Sequence, residues 1–497
     1  MQTEEFLRGV EVVERRGPVP LTVTGVHYDS RQVAAGGAFA AIRGEKLDGN
    51  AYIAGALAHG AALVITDRPA AATPPDYHEV VVPSARIALA QTAANWFQHP
   101  GAKLRLIGIT GTNGKTTTAG LIDALLRAQG WTTGLLGTIE YRIGAEVLAA
   151  PHTTPESYDL QALLARMAGA GCAGAVMEVS SHALALDRVW GLGFEVAVFT
   201  NLTQDHLDYH HTMERYREAK RRLFTGLGAP PPQVAVVNAD DAASTEMIRG
   251  SRSQVLTYGI SPAAALRATA IEISPAGVRF TLLGPGAEDA PLPVASPLLG
   301  RMNVLNLLAA IGTGLGLGVE REAAVRGVAG LARVPGRFER VDAGQPFSVV
   351  VDYAHTPDAL INVLALARNL TAGGAAGGGG RVLVVFGCGG ERDRGKRPLM
   401  GAAAARGADW VMLTSDNPRS EDPERILDEI SAAAPGAARE VDRGRAIAAT
   451  LAAARSGDVV VIAGKGHERY QTIGSEQIPF EDAAVARAAL GELGWHG

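Results

Sequence analysis

The chain has 497 residues, which is too long for a single hydrophobic core and predicts about three domains. With 47% hydrophobic and 20% charged residues, its composition is that of an ordinary globular protein. Its formal net charge of −5 provides no basic field for nucleic acid, so a polyanionic ligand has to bind in a local site.

The cysteines and the N-terminus indicate a reducing compartment. Cys172 and Cys388 are far apart and lack metal-ligand spacing, so neither a disulfide framework nor a zinc site is predicted. The N-terminal segment has no basic region followed by an apolar one, and no stretch of about 18 apolar residues follows. We therefore expect a cytoplasmic protein that is not inserted in a membrane.

Short apolar runs alternate with Ala- and Leu-rich helical stretches from Lys103 onward, which predicts parallel sheets covered by helices. Two segments rich in residues that interrupt regular structure, 99–102 and 333–336, place domains at 1–99, 100–334 and 335–497. The glycine run 373–380 is predicted to be a surface loop. The predicted strands are 104–110, 175–179, 196–200 and 234–238, then 348–352, 381–386, 410–414 and 459–463.

A glycine-rich loop follows the first strand of the central series and precedes a predicted helix, 118–129. Backbone N–H groups of such a loop bind triphosphate oxygens, while Lys115 neutralises charge and Thr116 reaches Mg²⁺. A strict form of the motif has glycine where Ile109 stands, and the alternative is a turn that merely joins strand to helix. The loop predicts an ATP site formed by Gly111, Thr112, Asn113, Gly114, Lys115, Thr116 and Thr117.

Polar residues lie at the ends of the next two strands. Glu178 is near the end of strand 175–179, and His206 lies in the polar run after strand 196–200. The carboxyl ends of neighbouring parallel strands meet around one crevice, so Glu178 and His206 are candidate magnesium ligands. The alternative for a histidine near a strand end is a structural role.

Lys220 falls on the apolar face of the helix that follows. Tyr216 precedes it by four residues and Leu223 follows it by three, so this spacing predicts that the lysine points inward. Burial favours a neutral amine, which can react with carbon dioxide to form a metal-binding carbamate. The alternative is a lysine with a buried stem whose ammonium reaches solvent.

Taken together, these motifs resemble those of the Mur ligases. The resemblance covers essentially the whole chain and rests on the loop 111–117 and on segments 177–182, 205–210 with Lys220, 300–306, 335–339, 352–358 and 29–31. It implies an α/β fold of three domains: a smaller N-terminal α/β domain, a central P-loop ATPase-type parallel sheet and a C-terminal Rossmann-like domain. It also implies an ATP-dependent ligase of peptidoglycan precursor synthesis that works through an acyl phosphate.

The resemblance further implies roles for single residues. The catalytic set would be Lys115, Lys220, His206, Glu178 and His355. Magnesium would be held by Thr116, Glu178, His206 and carbamylated Lys220. The contacts to ATP would be completed by Asn303, Arg337 and Asp352.

Two substrate sets follow from the same resemblance. The UDP-sugar dipeptide would be held by Ser30, Thr153, Thr154, Ser180 and Arg188. The incoming amino acid would be held by Arg392, Asp416, Asn417, Pro418, Arg419, Gly464 and Glu468.

Residues 416–419, Asp-Asn-Pro-Arg, have the form found in relatives that accept meso-diaminopimelate. The resemblance thus implies a monomer that adds meso-diaminopimelate to UDP-N-acetylmuramoyl-L-alanyl-D-glutamate. Two alternatives stay open: another ligase of the family, such as the one adding D-Ala-D-Ala, and a P-loop protein whose nucleotide state regulates a partner. Asp416 and Asn417 can also be interpreted as a surface turn that caps the next helix.

Overall fold

The computed structural model describes residues 1–18, 20–44, 47–69, 78–274, 276–285, 290–331, 333–372 and 379–496. The predicted glycine loop, 373–380, lies mostly outside these residues. Within the described ranges, the helices are too short or too polar to span a bilayer.

The first sheet has the strand order β1-β5-β4-β3-β2, with β1 antiparallel to β5 and the other neighbours parallel. Helix α3 packs on it and buries Leu89 against Ile65 and Val80. The elements are β1 (Glu14–Arg16), β2 (Val26–His27), β3 (Ala38–Ala40), β4 (Leu63–Thr66), β5 (Glu79–Val81), α1 (Thr3–Phe6), α2 (Ile53–Ala58) and α3 (Ala85–Trp96).

The central sheet has the order β16-β15-β14-β13-β12-β11-β6-β10-β7-β8-β9. Its strands are β6 (Arg105–Thr110), β7 (Thr133–Leu136), β8 (Glu140–Ile143), β9 (Glu146–Ala149), β10 (Gly174–Glu178), β11 (Val196–Phe199), β12 (Val234–Asn238), β13 (Gln254–Gly259), β14 (Leu266–Ser274), β15 (Gly277–Leu283) and β16 (Leu292–Ser296). Its helices are α4 (Lys115–Ala128), α5 (Ser157–Gly169), α6 (Ser181–Ala185), α7 (Leu207–His210), α8 (Met213–Thr225), α9 (Ser244–Met247), α10 (Arg301–Gly316) and α11 (Arg321–Val328).

Strands β6, β10 and β11 are almost continuously apolar because helices cover both faces of the sheet. Helices α4 and α10 form one hydrophobic core with these strands, and α5 and α8 contribute to the core on the opposite face. Strand β6 lies between β10 and β11 and runs parallel to both. The phosphate loop and the polar ends of the two neighbouring strands therefore meet at one edge of the sheet.

The third sheet has the order β17-β18-β22-β19-β20-β21, and only β17 is antiparallel to its neighbour among these described strands. Strands β23 and β24 form a separate hairpin. The strands are β17 (Glu339–Val341), β18 (Ser348–Asp352), β19 (Val382–Phe386), β20 (Trp410–Leu413), β21 (Ala438–Arg439), β22 (Val459–Ala463), β23 (Tyr470–Ile473) and β24 (Glu476–Pro479). The helices are α12 (Pro357–Ala372), α13 (Lys396–Gly407), α14 (Pro423–Ser431), α15 (Arg443–Ala453) and α16 (Asp482–Glu492).

The eight predicted strands are present, and each differs from its predicted bounds by at most one residue at either end. The predicted start of the helix after the phosphate loop is wrong, because α4 already begins at Lys115. Gly114 adopts a left-handed conformation before it, which lets the loop turn directly into the helix. The three sheets fall within segments 1–99, 100–334 and 335–497, whose boundaries stay a prediction.

Candidate active site

A cleft of about 580 Å³ is lined by residues of both the central and the third sheet regions. It brings together most of the residues predicted to act on the nucleotide, the metal and the reacting groups. The predicted residues that line it are Thr112, Asn113, Gly114, Lys115, Thr116, Thr117, Thr153, Glu178, Ser180, His206, Lys220, Asn303, Arg337, Asp352 and His355.

The end of β11 holds the phosphate loop in shape. Asn113 N donates to Asn201 Oδ1 at 2.9 Å, and Thr200 Oγ1 donates to Asn113 O at 2.7 Å. Gly111 has a φ of 150°, and a Cβ atom there would lie 1.8 Å from Thr200 Oγ1. Only glycine therefore fits where the loop passes this strand.

Lys115 lies across the mouth of the loop. Its Nζ donates to Gly111 O at 2.9 Å and to Thr112 O at 2.8 Å. Burial lowers the pKa of Lys115, and the carboxylates of Glu178 and Asp205 oppose that shift. A cation beside a helix N-terminus and loop N–H groups is a suitable site for phosphate oxygens.

Glu178 is buried and oriented by the residues around it. Its Oε1 accepts a hydrogen bond from Thr138 N at 2.8 Å, and its Oε2 accepts from Thr116 Oγ1 at 3.1 Å. Arg337 reaches the same hydroxyl from the third domain, with NH2 to Thr116 Oγ1 at 3.1 Å. A carboxylate oxygen and a hydroxyl oxygen therefore lie side by side near the phosphate loop, and Mg²⁺ prefers oxygen ligands.

Lys220 is 1% exposed, so the alternative in which its ammonium reaches solvent does not hold. Its Nζ donates to Gly111 O at 2.7 Å and lies 4.4 Å from the centre of the Tyr216 ring. Burial, with a further contribution from nearby Lys115, holds the pKa of Lys220 well below its usual value. Burial therefore shifts this side chain toward its neutral amine.

Sequence reasoning assigned no role to Asp205, which joins the two halves of the cleft. Its carboxylate lies 3.3 Å from His206 Nε2, 3.7 Å from His355 Nε2 and 3.7 Å from Lys396 Nζ. Burial opposes its ionisation, yet His206 and the two groups of the third domain hold the pKa of Asp205 well below its usual range. Its sequence signals were its place beside His206 in a polar run and in segment 205–210, on which the family resemblance partly rests.

The predicted magnesium set combines Glu178 and His206 with Thr116 and Lys220. In the part of the chain that the structure describes, no group of three or more His, Cys, Asp or Glu side chains is arranged to hold a metal. Mg²⁺ usually binds one or two protein side chains together with waters and substrate phosphates, so the predicted set does not depend on such a group. The ligand set stays a prediction.

Asp352 organises the third-domain side of the cleft. Its two oxygens accept hydrogen bonds from Phe338 N at 2.7 Å and Ala354 N at 2.8 Å, and burial raises its pKa. These bonds fix the residues beside Arg337 and His355. Across the cleft, Asn303 Nδ2 donates to Leu299 O at 2.7 Å.

The residues predicted to hold the UDP-sugar dipeptide gather around the end of β10, except Ser30. Thr154 Oγ1 donates to Glu178 O at 2.8 Å, and Arg188 NH1 donates to Thr154 O at 3.0 Å. Ser180 Oγ accepts from Ala183 N at 3.1 Å and begins helix α6. Thr153 lines the cleft, whereas Ser30 lies in a short turn of the first domain, outside the cleft.

The residues predicted to hold the amino acid form a second group, in the loops that follow β19, β20 and β22. None of them lines the cleft itself. This group is called the amino-acid pocket below because of the role predicted for it, and it consists of Arg392, Asp416, Asn417, Pro418, Arg419, Gly464 and Glu468.

Asp416 and Asn417 are 7% and 6% exposed, and helix α14 is capped by Asp422 instead. The alternative of a surface turn that caps the next helix is therefore wrong. A Cβ atom at Gly464, where φ is 115°, would lie 2.6 Å from Asp416 Oδ2, so glycine is required there. The loop after β20 and the loop after β22 therefore pack closely against each other at this point.

Arg419 is held by its surroundings in an unusual backbone conformation, with a φ of 53°. Its N–H donates to Thr472 O at 3.1 Å, and its NH1 donates to Gly390 O at 2.7 Å. Burial and the neighbouring Arg392 lower the pKa of Arg419. Two guanidinium groups close together favour an anionic ligand between them.

The fold and the cleft define a multidomain α/β enzyme in which a phosphate loop faces a second parallel sheet. Three family models match the chain: Mur ligase middle domain at 109–314, Mur ligase glutamate ligase domain at 336–466 and Mur ligase family catalytic domain at 22–97. The chain belongs to the Mur ligase family. The predicted three-domain α/β fold is confirmed, and so is the enzyme class, an ATP-dependent ligase that forms amide bonds.

Relatives match over the full length. A protein of Solibacter usitatus named UDP-N-acetylmuramoyl-L-alanyl-D-glutamate--2,6-diaminopimelate ligase is 49% identical, over 100% of this chain and 99% of its own. One of Geobacter metallireducens with the same name is 42% identical over 100% of both chains. A solved structure of a ligase of that name superposes with a TM-score of 0.67 at 36% identity, covering 99% of each chain.

Proposed function

We propose that this enzyme joins meso-diaminopimelate to UDP-N-acetylmuramoyl-L-alanyl-D-glutamate, with ATP as the energy source, in the synthesis of peptidoglycan precursors. The observation that carries the substrate choice is the amino-acid pocket, where Arg419 is within electrostatic range of Arg392, Asp416 and Glu468. The full-length relatives that are named as ligases for this reaction support the same choice of substrates.

The chemistry begins with a carboxylate, which is a poor electrophile because its charge repels an amine. Attack of the substrate carboxylate on the γ-phosphate of ATP gives an acyl phosphate and ADP. Lys115 neutralises charge on the transferring phosphoryl group, and loop N–H groups hold the other phosphate oxygens. The amine of the amino acid then attacks the acyl carbon, which forms the amide and releases phosphate.

We propose that Thr116, Glu178, His206 and carbamylated Lys220 hold Mg²⁺. The buried carboxylate and the hydroxyl 3.1 Å from it supply hard oxygen donors, and the neutral amine of Lys220 is the form that takes up carbon dioxide. Bound Mg²⁺ would neutralise the phosphoryl oxygens during transfer. The residues present therefore fit the metal.

The third domain would complete the nucleotide site. Arg337 and Asp352 contact ATP in this proposal, with Asn303 on the opposite wall and His355 beside the reacting groups. Contacts such as Arg337 to Thr116 and His355 to Asp205 join the two domains across the cleft. Such contacts keep water away from the acyl phosphate.

The remaining assignments are part of the same proposal. Domains 1–99, 100–334 and 335–497 would bind the UDP-sugar, ATP and the amino acid. The enzyme would act as a cytoplasmic monomer. The UDP-sugar dipeptide would contact Ser30, Thr153, Thr154, Ser180 and Arg188.

Diaminopimelate differs from lysine by a second carboxylate at the far end of its side chain. Arg419 and Arg392 would bind this carboxylate, while Glu468 and Asp416 would accept hydrogen bonds from the distal ammonium. Lysine would leave the half-buried Arg419 without a carboxylate partner, which costs on the order of 1–3 kcal/mol. We therefore expect roughly ten- to hundredfold lower efficiency with lysine.

The test is a panel of amino acids, including meso-diaminopimelate, L-lysine and D-Ala-D-Ala, with purified enzyme, ATP and the UDP-linked dipeptide. ADP release should depend on both the dipeptide and diaminopimelate. ATP hydrolysis without either would favour a nucleotide-regulated switch protein. Comparable efficiency with lysine would refute the specificity and leave the ligase assignment intact.

A further inference from the structure

A fully buried lysine contacts two residues of the amino-acid pocket. Lys465 follows Gly464 at the end of β22, and its side chain is 0% exposed. Its Nζ donates to Glu468 Oε2 at 2.8 Å and to Asn417 Oδ1 at 3.1 Å. A buried ammonium is tolerated only when such partners compensate for its lost hydration, so these bonds define where the cation sits.

Lys465 and Asn417 both donate hydrogen bonds to the same oxygen of Glu468. Asn417 Nδ2 donates to Glu468 Oε2 at 2.9 Å, beside the bond from the lysine. Two donors at one oxygen fix the rotation of the carboxylate. They leave its other oxygen, Oε1, for a further donor.

Asn417 extends this arrangement to the hairpin of β23 and β24. Its Oδ1 also accepts a hydrogen bond from Thr472 N at 2.9 Å, and Gln471 Nε2 donates to Asp416 O at 2.6 Å. Thr472 O in turn accepts from Arg419 N at 3.1 Å. Lys465 therefore connects the end of β22 to the loop that presents Arg419.

We infer that Lys465 is a positioning residue for the amino-acid substrate, acting through Glu468 and Asn417. It holds Glu468 so that Oε1 meets the distal ammonium of the substrate, and it keeps residues 416–419 in register with the hairpin. This inference rests on the proposed function, which supplies the amino acid and its pocket. Lys465 itself does not touch the reacting atoms.

The first experiment compares Lys465→Met with Lys103→Met, which changes an exposed lysine of the same charge. We expect Lys465→Met to raise KM for meso-diaminopimelate about tenfold or more, because Glu468 loses its fixed orientation. KM for ATP and for the UDP-linked dipeptide should stay within about twofold of the wild type. Equal changes in all three KM values, or none, would overturn the inference.

The second experiment tests whether the lysine acts through Glu468. KM for diaminopimelate is measured for Lys465→Met, Glu468→Gln and the variant that carries both changes. Together with the wild type, these proteins form a double-mutant cycle. Because both changes disturb the contact between Lys465 and Glu468, the effect of the double variant should be clearly smaller than the product of the two single effects. Effects that multiply would show that Lys465 acts independently, contrary to the inference.

Lys465→Arg covers the case in which Lys465→Met does not fold. It keeps the charge, but its planar guanidinium cannot take the position of the ammonium, so KM for diaminopimelate should rise about threefold or more. An unchanged KM would overturn the inference. If the wild type prefers another amino acid, the proposed substrate is wrong, and the same KM comparison made with that amino acid still decides the role of Lys465.

Discussion

The phosphate loop and the amino-acid pocket both lie at the carboxyl ends of parallel strands, yet they are built differently. The loop is a single run, 111–117, between β6 and α4. The pocket is assembled from loops after β19, β20 and β22, with support from the hairpin of β23 and β24. One site is continuous in the sequence and the other is not.

The difference lies in which groups each predicted site offers to a ligand. The loop offers backbone N–H groups on one continuous segment, which Thr200 and Asn201 at the end of β11 hold in shape. The pocket offers charged side chains, which need partners from distant segments to hold them. Arg443 is such a support: it pairs with Asp482 with both side chains 0% exposed, and its NH2 donates to Ala463 O at 3.0 Å.

The largest effect is expected where the loop depends on a single side chain. Lys115→Ala should reduce kcat/KM about 10³-fold or more, because no other loop side chain supplies that charge to the phosphoryl group. The thermal unfolding midpoint should match that of the wild type. Steady-state ADP release and calorimetry would check both, with Lys103→Ala as control, and near-normal turnover would refute the phosphate-loop assignment.

The amino-acid pocket should instead depend on side chains from distant segments that hold its loops in place. Arg443→Met leaves the Asp482 carboxylate buried without its partner, so the free energy of unfolding should fall by about 3 kcal/mol or more. Denaturant unfolding measures this change. Arg445→Met, at an exposed position of the same helix, should be close to neutral. A stable Arg443→Met protein would show that the pair is not a required support.

Lys220 tests the metal site beside the loop. Lys220→Ala should lower kcat about 10²-fold, and formate or acetate should restore part of it by replacing the carbamate oxygens. Arg215→Ala, an exposed position of the same helix, is the control. Intact-protein mass and electron density would reveal the carbamate, and an active enzyme with only unmodified lysine would contradict it.

The smallest of these effects concerns one contact of the pocket. Arg419→Ala should raise KM for diaminopimelate roughly ten- to hundredfold and change KM for ATP much less, because only the amino acid loses a charged partner. Arg425→Ala, whose side chain is 83% exposed in the following helix, should leave both unchanged. Unchanged diaminopimelate kinetics in Arg419→Ala would show that the pocket binds the amino acid differently.

The sequence by itself determined eight strands of the central and third sheets, the phosphate loop and the inward position of Lys220. These features are local: continuous apolar runs mark strands covered on both faces, and helical spacing places Lys220 on the same face as Tyr216 and Leu223. The motifs also sufficed to recognise the family, which the full-length relatives confirm. The residues assigned to ATP, metal and substrates remain predictions, although most of them now share one cleft or one pocket.

Only the tertiary structure decided how distant groups pair. Asp205 lies close to His355 and Lys396, which belong to another domain. Lys465 donates a hydrogen bond to Asn417, which is 48 positions earlier in the sequence. Neither pairing leaves a periodic or local signal, because a buried charge can be compensated by a partner from any segment that the fold brings near. A distant segment also limits the residue that precedes helix α4, because a Cβ atom at Gly114 would lie 2.6 Å from Asn306 Oδ1.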